Sequence, residues 1–395
     1  MLTDCLEKRL IDYTRHLIRI PSPSGGEGES AHYLKDLMGR MGFRRLGVDA
    51  LGNVFGSLIG TRPGLRLLLD AHLDTVGVGD HDLWSVDPLG GLCRADRLYG
   101  RGASDMKGAA AAMLLAAQAW VEDRKGDFAG EIGFSGTVCE EPFEGIAARL
   151  ISERFQPDAV IIGEATDLKI NRGQRGRAEV RVEARGRAAH SSNPDAGCNA
   201  VYGMMAFLGS LRQRAIPKHP VLGPGIIELT DIISSPYPGA STVPERCIVT
   251  LDRRLLVDET MDDVLQPLRE VAQAVEADWP GLKLKATIET GRATSWTGEE
   301  IRAKRFYPAW LIPEDHFLVK SAQEALRGLG WSGDIGTYSF CTNGSHYAGE
   351  AGIPTIGFGP AQEERAHVVD EFVTIPELKD AFRGYYALID ALMAD

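Results

Sequence analysis

The sequence predicts an α/β protein: a three-layer α/β/α domain built on a mainly parallel sheet, interrupted by a ferredoxin-like α+β insert. Three observations predict it. Short apolar runs alternate with helical stretches through residue 174, alternating strands take over between 175 and 294, and the first texture returns after Pro308. The 395 residues are 44% hydrophobic, enough to bury a large core divided over about two or three domains.

Leu65 to Leu69 reads as a buried strand, Lys107 to Glu122 as an alanine-rich helix, and Gly130 to Val138 as a second strand. A helix is expected after Pro142, and Ala159 to Ile162 is again a strand. Beyond Arg177, the residues Ala178, Val180, Val182 and Ala184 alternate as in a half-buried strand. There follow a helix near Ala200 to Leu211, strands around Ile226 to Ile233 and Cys247 to Leu255, a helix near Met261 to Val275 and a strand near Leu282 to Ile288. That strand-helix-strand-strand-helix-strand order is a compact supersecondary unit. A helix through Lys320 to Leu329, the strand Thr355-Ile356-Gly357-Phe358 and a helix from Pro376 to Met393 close the first domain. It is therefore expected to be discontinuous, 1–174 with 295–395, enclosing 175–294. No internal repeat or low-complexity tract is visible.

A formal charge of −12 and a pI near 5.3 argue against an electrostatic grip on nucleic acid or an anionic membrane, and favour small-molecule or peptide substrates. The N-terminal stretch from Met1 to Arg9 breaks its apolar positions with charges, unlike a signal peptide, and no apolar run is long enough to span a membrane. The six cysteines are scattered without a Cys-x-x-Cys pair, which reads as reduced thiols in a cytoplasmic protein. Cys139 and Cys341 lie beside suspected site residues, where a buried thiol is the simpler reading than a nucleophile.

The chemistry gathers at strand ends. Glu140 and Glu141 are adjacent after one strand, His72 and Asp74 follow Leu67-Leu68-Leu69, and Glu164 follows Ile162. Asp105 sits in the Gly100 to Gly108 segment before the alanine-rich helix, and His367 follows the Gly-rich stretch after Phe358. Singly, each has a plain alternative: Asp105 as a helix cap, Glu140 and Glu141 as charges at a helix start, His367 and His190 as solvated histidines. Gly100 and Gly102 do not make a nucleotide loop, because the third glycine is absent. Together, two imidazoles and three carboxylates suit a pair of zinc-like ions with one bridging carboxylate.

The order of these motifs resembles the M20 family of metallopeptidases and deacylases, which includes acetylornithine deacetylase, succinyl-diaminopimelate desuccinylase, aminoacylase and carboxypeptidase G. The resemblance runs over nearly the whole chain, through Asp70 to Val76, Gly100 to Gly108, Cys139 to Pro142, Gly163 to Thr166, Ala189-His190-Ser191 and Ala366-His367. It implies that His72, Asp105 and Glu164 bind one metal ion and that Asp105, Glu141 and His367 bind the other, with Asp105 as the bridge. Zn2+ is the expected ion, with Co2+ or Mn2+ as alternatives. Asp74 would orient His72. Glu140 would be the general base that deprotonates the bridging water and protonates the departing amine. The insert would be a lid and dimerisation domain, forming a homodimer in which His190 stabilises the oxyanion in the partner's site. Arg254, in Leu251-Asp252-Arg253-Arg254, would grip a substrate carboxylate, or else form a structural salt bridge.

Departures from the common family pattern lie where substrate choice should. Asn343, in Phe340 to His346, could bond a substrate carboxylate or carbonyl, and His346 is an unexpected titratable group there, or a histidine that packs the loop. Tyr307 to His316, Gly173 to Gly176 and Gly357 to Pro360 resemble a family branch associated with selenium-dependent metabolism, which names no substrate. Two classes of function result: a dinuclear metal amidohydrolase acting on an N-acyl amino acid or short peptide, as deacylase or dipeptidase, and a catalytically silent binding protein that keeps the pocket.

Overall fold

A computed structural model describes residues 2–393. The chain divides into two compact units, one of residues 1–174, 292–302 and 310–395, the other of 175–291 and 303–309. Residues 303–309, expected with the first unit, belong to the second because Phe306 and Tyr307 pair with Ala178 and Arg177.

The first unit carries a mixed sheet. Its four central strands, Ala129–Thr137, Arg62–His72, Ala159–Ile162 and Thr355–Gly357, run parallel, and both flanks turn antiparallel through Val54–Ile59 and Ile170–Gln174. Successive leucines of one strand feed different layers, since side chains alternate across a sheet. Leu67 and Leu69 join the core that holds the helices Gly108–Asp123 and Ile375–Met393, while Leu68 joins Phe55, Ile151, Val160 and Tyr347 on the opposite face. The helix Gly108–Asp123 is buried from Gly108 to Trp120, and its run of alanines combines high helix propensity with close approach to the sheet. The helix expected after Pro142 begins only at Ala148, so Glu140 and Glu141 lie in turns rather than at a helix start.

The second unit holds a five-stranded antiparallel sheet, ordered Ile226–Ser235, Arg246–Leu255, Gly176–Arg185, Lys283–Ile288 with the short Phe306–Tyr307 also paired to Gly176–Arg185, and the helices Ala200–Leu211 and Met261–Asp278. Ala178, Val180, Val182 and Ala184 are buried against Met204, Phe207, Leu268 and Val271. Thr260 and Asp263 form a reciprocal capping box that starts the second helix. The edge strand Ile226–Ser235 exposes Leu229 (40%), Ile232 (50%) and Ile233 (54%), an apolar row unusual for an edge facing water. No helix among the described residues is long and apolar enough to cross a membrane.

Candidate metal centre

Strand register decides which side chains meet in the first unit. Asp70 pairs with both Ser135 and Ile162, and His72 with Thr137, so the residues just past these strands emerge together at the carboxyl edge of the sheet. His72, Glu140, Glu141 and Glu164 come from there. Asp105 arrives from the turn Ala103–Lys107, where its φ of −127° and ψ of 91° are not helical, and His367 from the loop that follows Glu363–Arg365.

His72 Nδ1 donates to the backbone carbonyl of Asp74 at 2.8 Å. That bond commits one ring nitrogen and leaves Nε2 for a cation. Nε2 lies 2.9 Å from Asp105 Oδ1 and 3.4 Å from Glu164 Oε1. The other oxygen of Asp105, Oδ2, is 3.0 Å from His367 Nε2, which is also 3.1 Å from Glu141 Oε2. Asp105 thus faces a different imidazole with each oxygen, the disposition a bridging carboxylate needs.

Asp74 was expected to orient His72 through its carboxylate, but that group stays 3.7 Å from Nδ1. Its oxygens instead accept the backbone N–H of Glu140 at 3.0 Å, the backbone N–H of Glu141 at 3.1 Å and the Ser24 hydroxyl at 2.7 Å. Asp74 therefore holds the segment bearing both glutamates, while its carbonyl holds the histidine. Cys139, immediately before them, has φ +52°, and His367 has φ +63°. Left-handed backbone at residues other than glycine costs on the order of 1–3 kcal/mol and concentrates where a site dictates geometry.

Burial raises the Glu164 carboxyl to about 7, with the Asp105 charge adding to the effect. Burial likewise raises Glu141, and lifts Glu140 well above the usual carboxylate range against the opposing pull of His72. For His72, burial opposes charge, yet Glu164 and Asp105 outweigh it and raise the imidazole well above its ordinary value. Hydrogen bonds to Asp105 and Glu141 raise His367 to about 10. Burial pushes Asp105 up, but the two imidazoles prevail and hold it below the normal range.

The donor set fits divalent ions. Four carboxylates, those of Asp105, Glu140, Glu141 and Glu164, converge with only two imidazoles, and uncompensated charge of this kind is costly to bury. Candidate ligand atoms of His72, Asp105 and Glu141 lie within 4.8 Å of one another, as do those of His72, Glu140 and Glu164. Nitrogen and carboxylate oxygen are the donors of borderline metals such as zinc. Glu140 Oε1 is buried without a hydrogen-bond partner among the described residues, directly beside this set.

The remaining expected residues separate. Asn343 does not offer its amide to a substrate: Nδ2 donates to Asp70 Oδ2 at 2.9 Å and to Thr137 Oγ1 at 2.8 Å, and Oδ1 accepts the Gly145 N–H at 2.9 Å. A buried amide satisfied at both ends is a clamp. Arg254 gives Nε to Asp252 at 2.9 Å, and His190 is exposed, both in the second unit. His346 packs the loop, bonding Ser152 Oγ at 2.6 Å and Glu350 Oε2 at 2.9 Å. Sequence reading assigned no role to Glu371 or Asp70. Asp70 could have been suspected, as an acid terminating three buried leucines; nothing local marks Glu371.

The sequence profile of Peptidase family M20/M25/M40 matches residues 68–391. The uncharacterized protein YgeY of Escherichia coli K12 is 34% identical over 364 residues, covering 91% of this chain and 88% of its own. An acetylornithine deacetylase of Erwinia tasmaniensis is 28% identical, with 93% of this chain and 94% of its own covered. In fold, the chain is similar to a crystal structure of a tripeptidase from Staphylococcus aureus, with a TM-score of 0.78, 98% of each chain covered and 21% identity.

Proposed function

Since the chain belongs to peptidase family M20/M25/M40, a family of hydrolases acting on amide and peptide bonds, we propose that it cleaves the amide bond of an N-acyl amino acid or short peptide at a two-metal centre. His72, Asp105 and Glu164 would hold one ion and Asp105, Glu141 and His367 the other, with zinc the preferred metal and cobalt or manganese the alternatives. Bound there, the ions would supply Lewis acidity and a water acidic enough to ionise near neutral pH.

The observation that carries this reading is the buried, unpartnered Oε1 of Glu140 beside the converging ligands. Burial raises this carboxyl well above its ordinary value, which makes it a stronger proton acceptor. Glu140 takes a proton from the attacking water as the oxygen–carbon bond forms, then passes it to the nitrogen as the carbon–nitrogen bond breaks. Asp74 keeps Glu140 and Glu141 in place through their backbone N–H groups. Arg254, whose Nε is on Asp252, turns its remaining N–H groups to a substrate carboxylate. The enzyme acts as a cytoplasmic homodimer joined through the second unit, a reading supported by the apolar edge strand Ile226–Ser235, and His190 donates to the oxyanion in the partner subunit's centre. Similarity to an acetylornithine deacetylase supports the N-acyl amino acid reading.

The test is amine release from a panel of N-acyl amino acids and dipeptides, with Glu140→Gln alongside and metal content measured on both proteins. Turnover should vanish in the variant while its metal content is retained. Surviving turnover rejects Glu140 as the base, and loss of metal would make it a ligand instead.

A further inference from the structure

A neutral imidazole carries one proton, and the nitrogen that carries it decides which edge of the ring can donate. In the second unit the backbone around His190 is pinned on both sides. Ser191 N–H donates to the Ser241 carbonyl at 2.9 Å, Val243 N–H to the Ala189 carbonyl at 2.8 Å, and Asn193 N–H closes a turn on the His190 carbonyl at 2.8 Å. The ring is pinned as well. Ser192 N–H donates to His190 Nδ1 at 3.1 Å, and Ser192 Oγ lies 2.7 Å from the same nitrogen.

A backbone N–H has no lone pair to offer, so Nδ1 has to be the acceptor. The hydroxyl can rotate to donate or accept, and with Nδ1 already presenting its lone pair it donates. The ring proton is left on Nε2, which has no partner among the described residues and is free to donate outward.

We propose that Ser192 is a positioning residue that locks His190 in the Nε2–H tautomer, presetting the edge that donates to the oxyanion. The role of the lock, though not its existence, rests on the reading of His190 as that donor. In the opposite tautomer Nε2 would present a lone pair to a developing negative charge, and its contribution would be lost rather than weakened.

The test is 15N–1H correlation of the histidine side chains in the full-length protein, with His190 assigned by its disappearance in His190→Gln. The expected result is a single tautomer, Nε2 protonated and Nδ1 hydrogen-bonded as an acceptor. Ser192→Ala, which keeps the backbone N–H, should retain most of that pattern, and Ser192→Pro, which removes both donors, should give a mixture. Averaged nitrogen shifts in the wild-type protein would overturn the lock without reference to any variant. Turnover separates the two claims. Loss of the lock should lower kcat in proportion to the share of the other tautomer, about 2-fold for an even mixture, with KM little changed. If His190→Asn turns over normally, the donor reading and the lock's purpose both fall, whatever the tautomer.

Discussion

Glu371 Oε1 accepts the backbone N–H of Asp105 at 3.2 Å, so a residue four places beyond His367 holds the loop that carries the candidate bridge. The same oxygen accepts the Ser104 N–H at 2.9 Å, and Oε2 pairs with Arg101 Nη1 at 2.6 Å. Both members of the pair are buried. Removing one partner of a buried pair strands the other, so Glu371→Ala should cost about 3–5 kcal/mol in unfolding free energy. Glu371→Gln keeps one acceptor oxygen and should cost less. Urea unfolding of both variants, read beside metal stoichiometry, checks the claim: equal losses would show that the carboxylate charge matters and the loop geometry does not.

Asp74 accepts two adjacent N–H groups with its two oxygens, one for Glu140 and one for Glu141. An asparagine there can accept with only one atom and turns an NH2 group against the second N–H. Asp74→Asn should therefore lower kcat or metal affinity by roughly 10- to 100-fold, the range for partners one shell out from a metal. Unchanged kinetics and metal titration would mean that the turn at 139–141 holds its shape without Asp74.

Sequence periodicity reaches as far as strands and their ends, and that range explains what could be read from it. Leu67, Leu68 and Leu69 marked a buried strand, and the strand's carboxyl end marked His72 as a site residue. The alternation from Ala178 to Ala184 marked a sheet packed on one face. Pairing across hundreds of residues is different in kind. The Asn343 amide looks like a polar group in a loop until the register puts Asp70, Thr137 and Gly145 around it. The helix expected after Pro142 starts only at Ala148, because the chain turns first through Gly145, whose φ of +85° is left-handed. The left-handed backbone at Cys139 and His367 is equally silent in sequence, neither position being glycine or asparagine.

Asn343 yields a prediction that separates clamp from substrate contact. Truncation to alanine strands the Gly145 N–H and takes one of three donors from Asp70, the others being Ser135 Oγ at 2.5 Å and Tyr347 OH at 3.0 Å. Leaving buried polar groups unpaired costs about 1–3 kcal/mol each. Asn343→Ala should lower stability by an amount in that range or above, with KM for the best substrate changed less than about 3-fold. A large rise in KM with stability intact would return Asn343 to the substrate pocket.

Glu350 joins two segments of the first unit that the sequence gives no reason to connect. Its carboxylate takes both Arg149 donors, at 2.9 and 2.6 Å, and His346 Nδ1 at 2.9 Å, while His346 Nε2 reaches Ser152. The loop carrying Asn343 is thereby tied to the helix Ala148–Phe155. Burial alone would push the carboxyl up, but the bonds from His346 and Arg149 prevail and hold it down at about 2, against an ordinary value of 4.5. A depressed carboxyl stabilises the fold above its unfolded-state value, and that contribution is lost as pH falls through the folded one. Glu350→Gln should thus be less stable than the parent at pH 7, by about 1 kcal/mol because the group is partly exposed and screened. The difference should shrink progressively below pH 4.5. Urea midpoints of the two proteins at pH 7 and pH 3 measure it, and a gap that stays constant or widens in acid would show that the network contributes through packing rather than through the charge on Glu350.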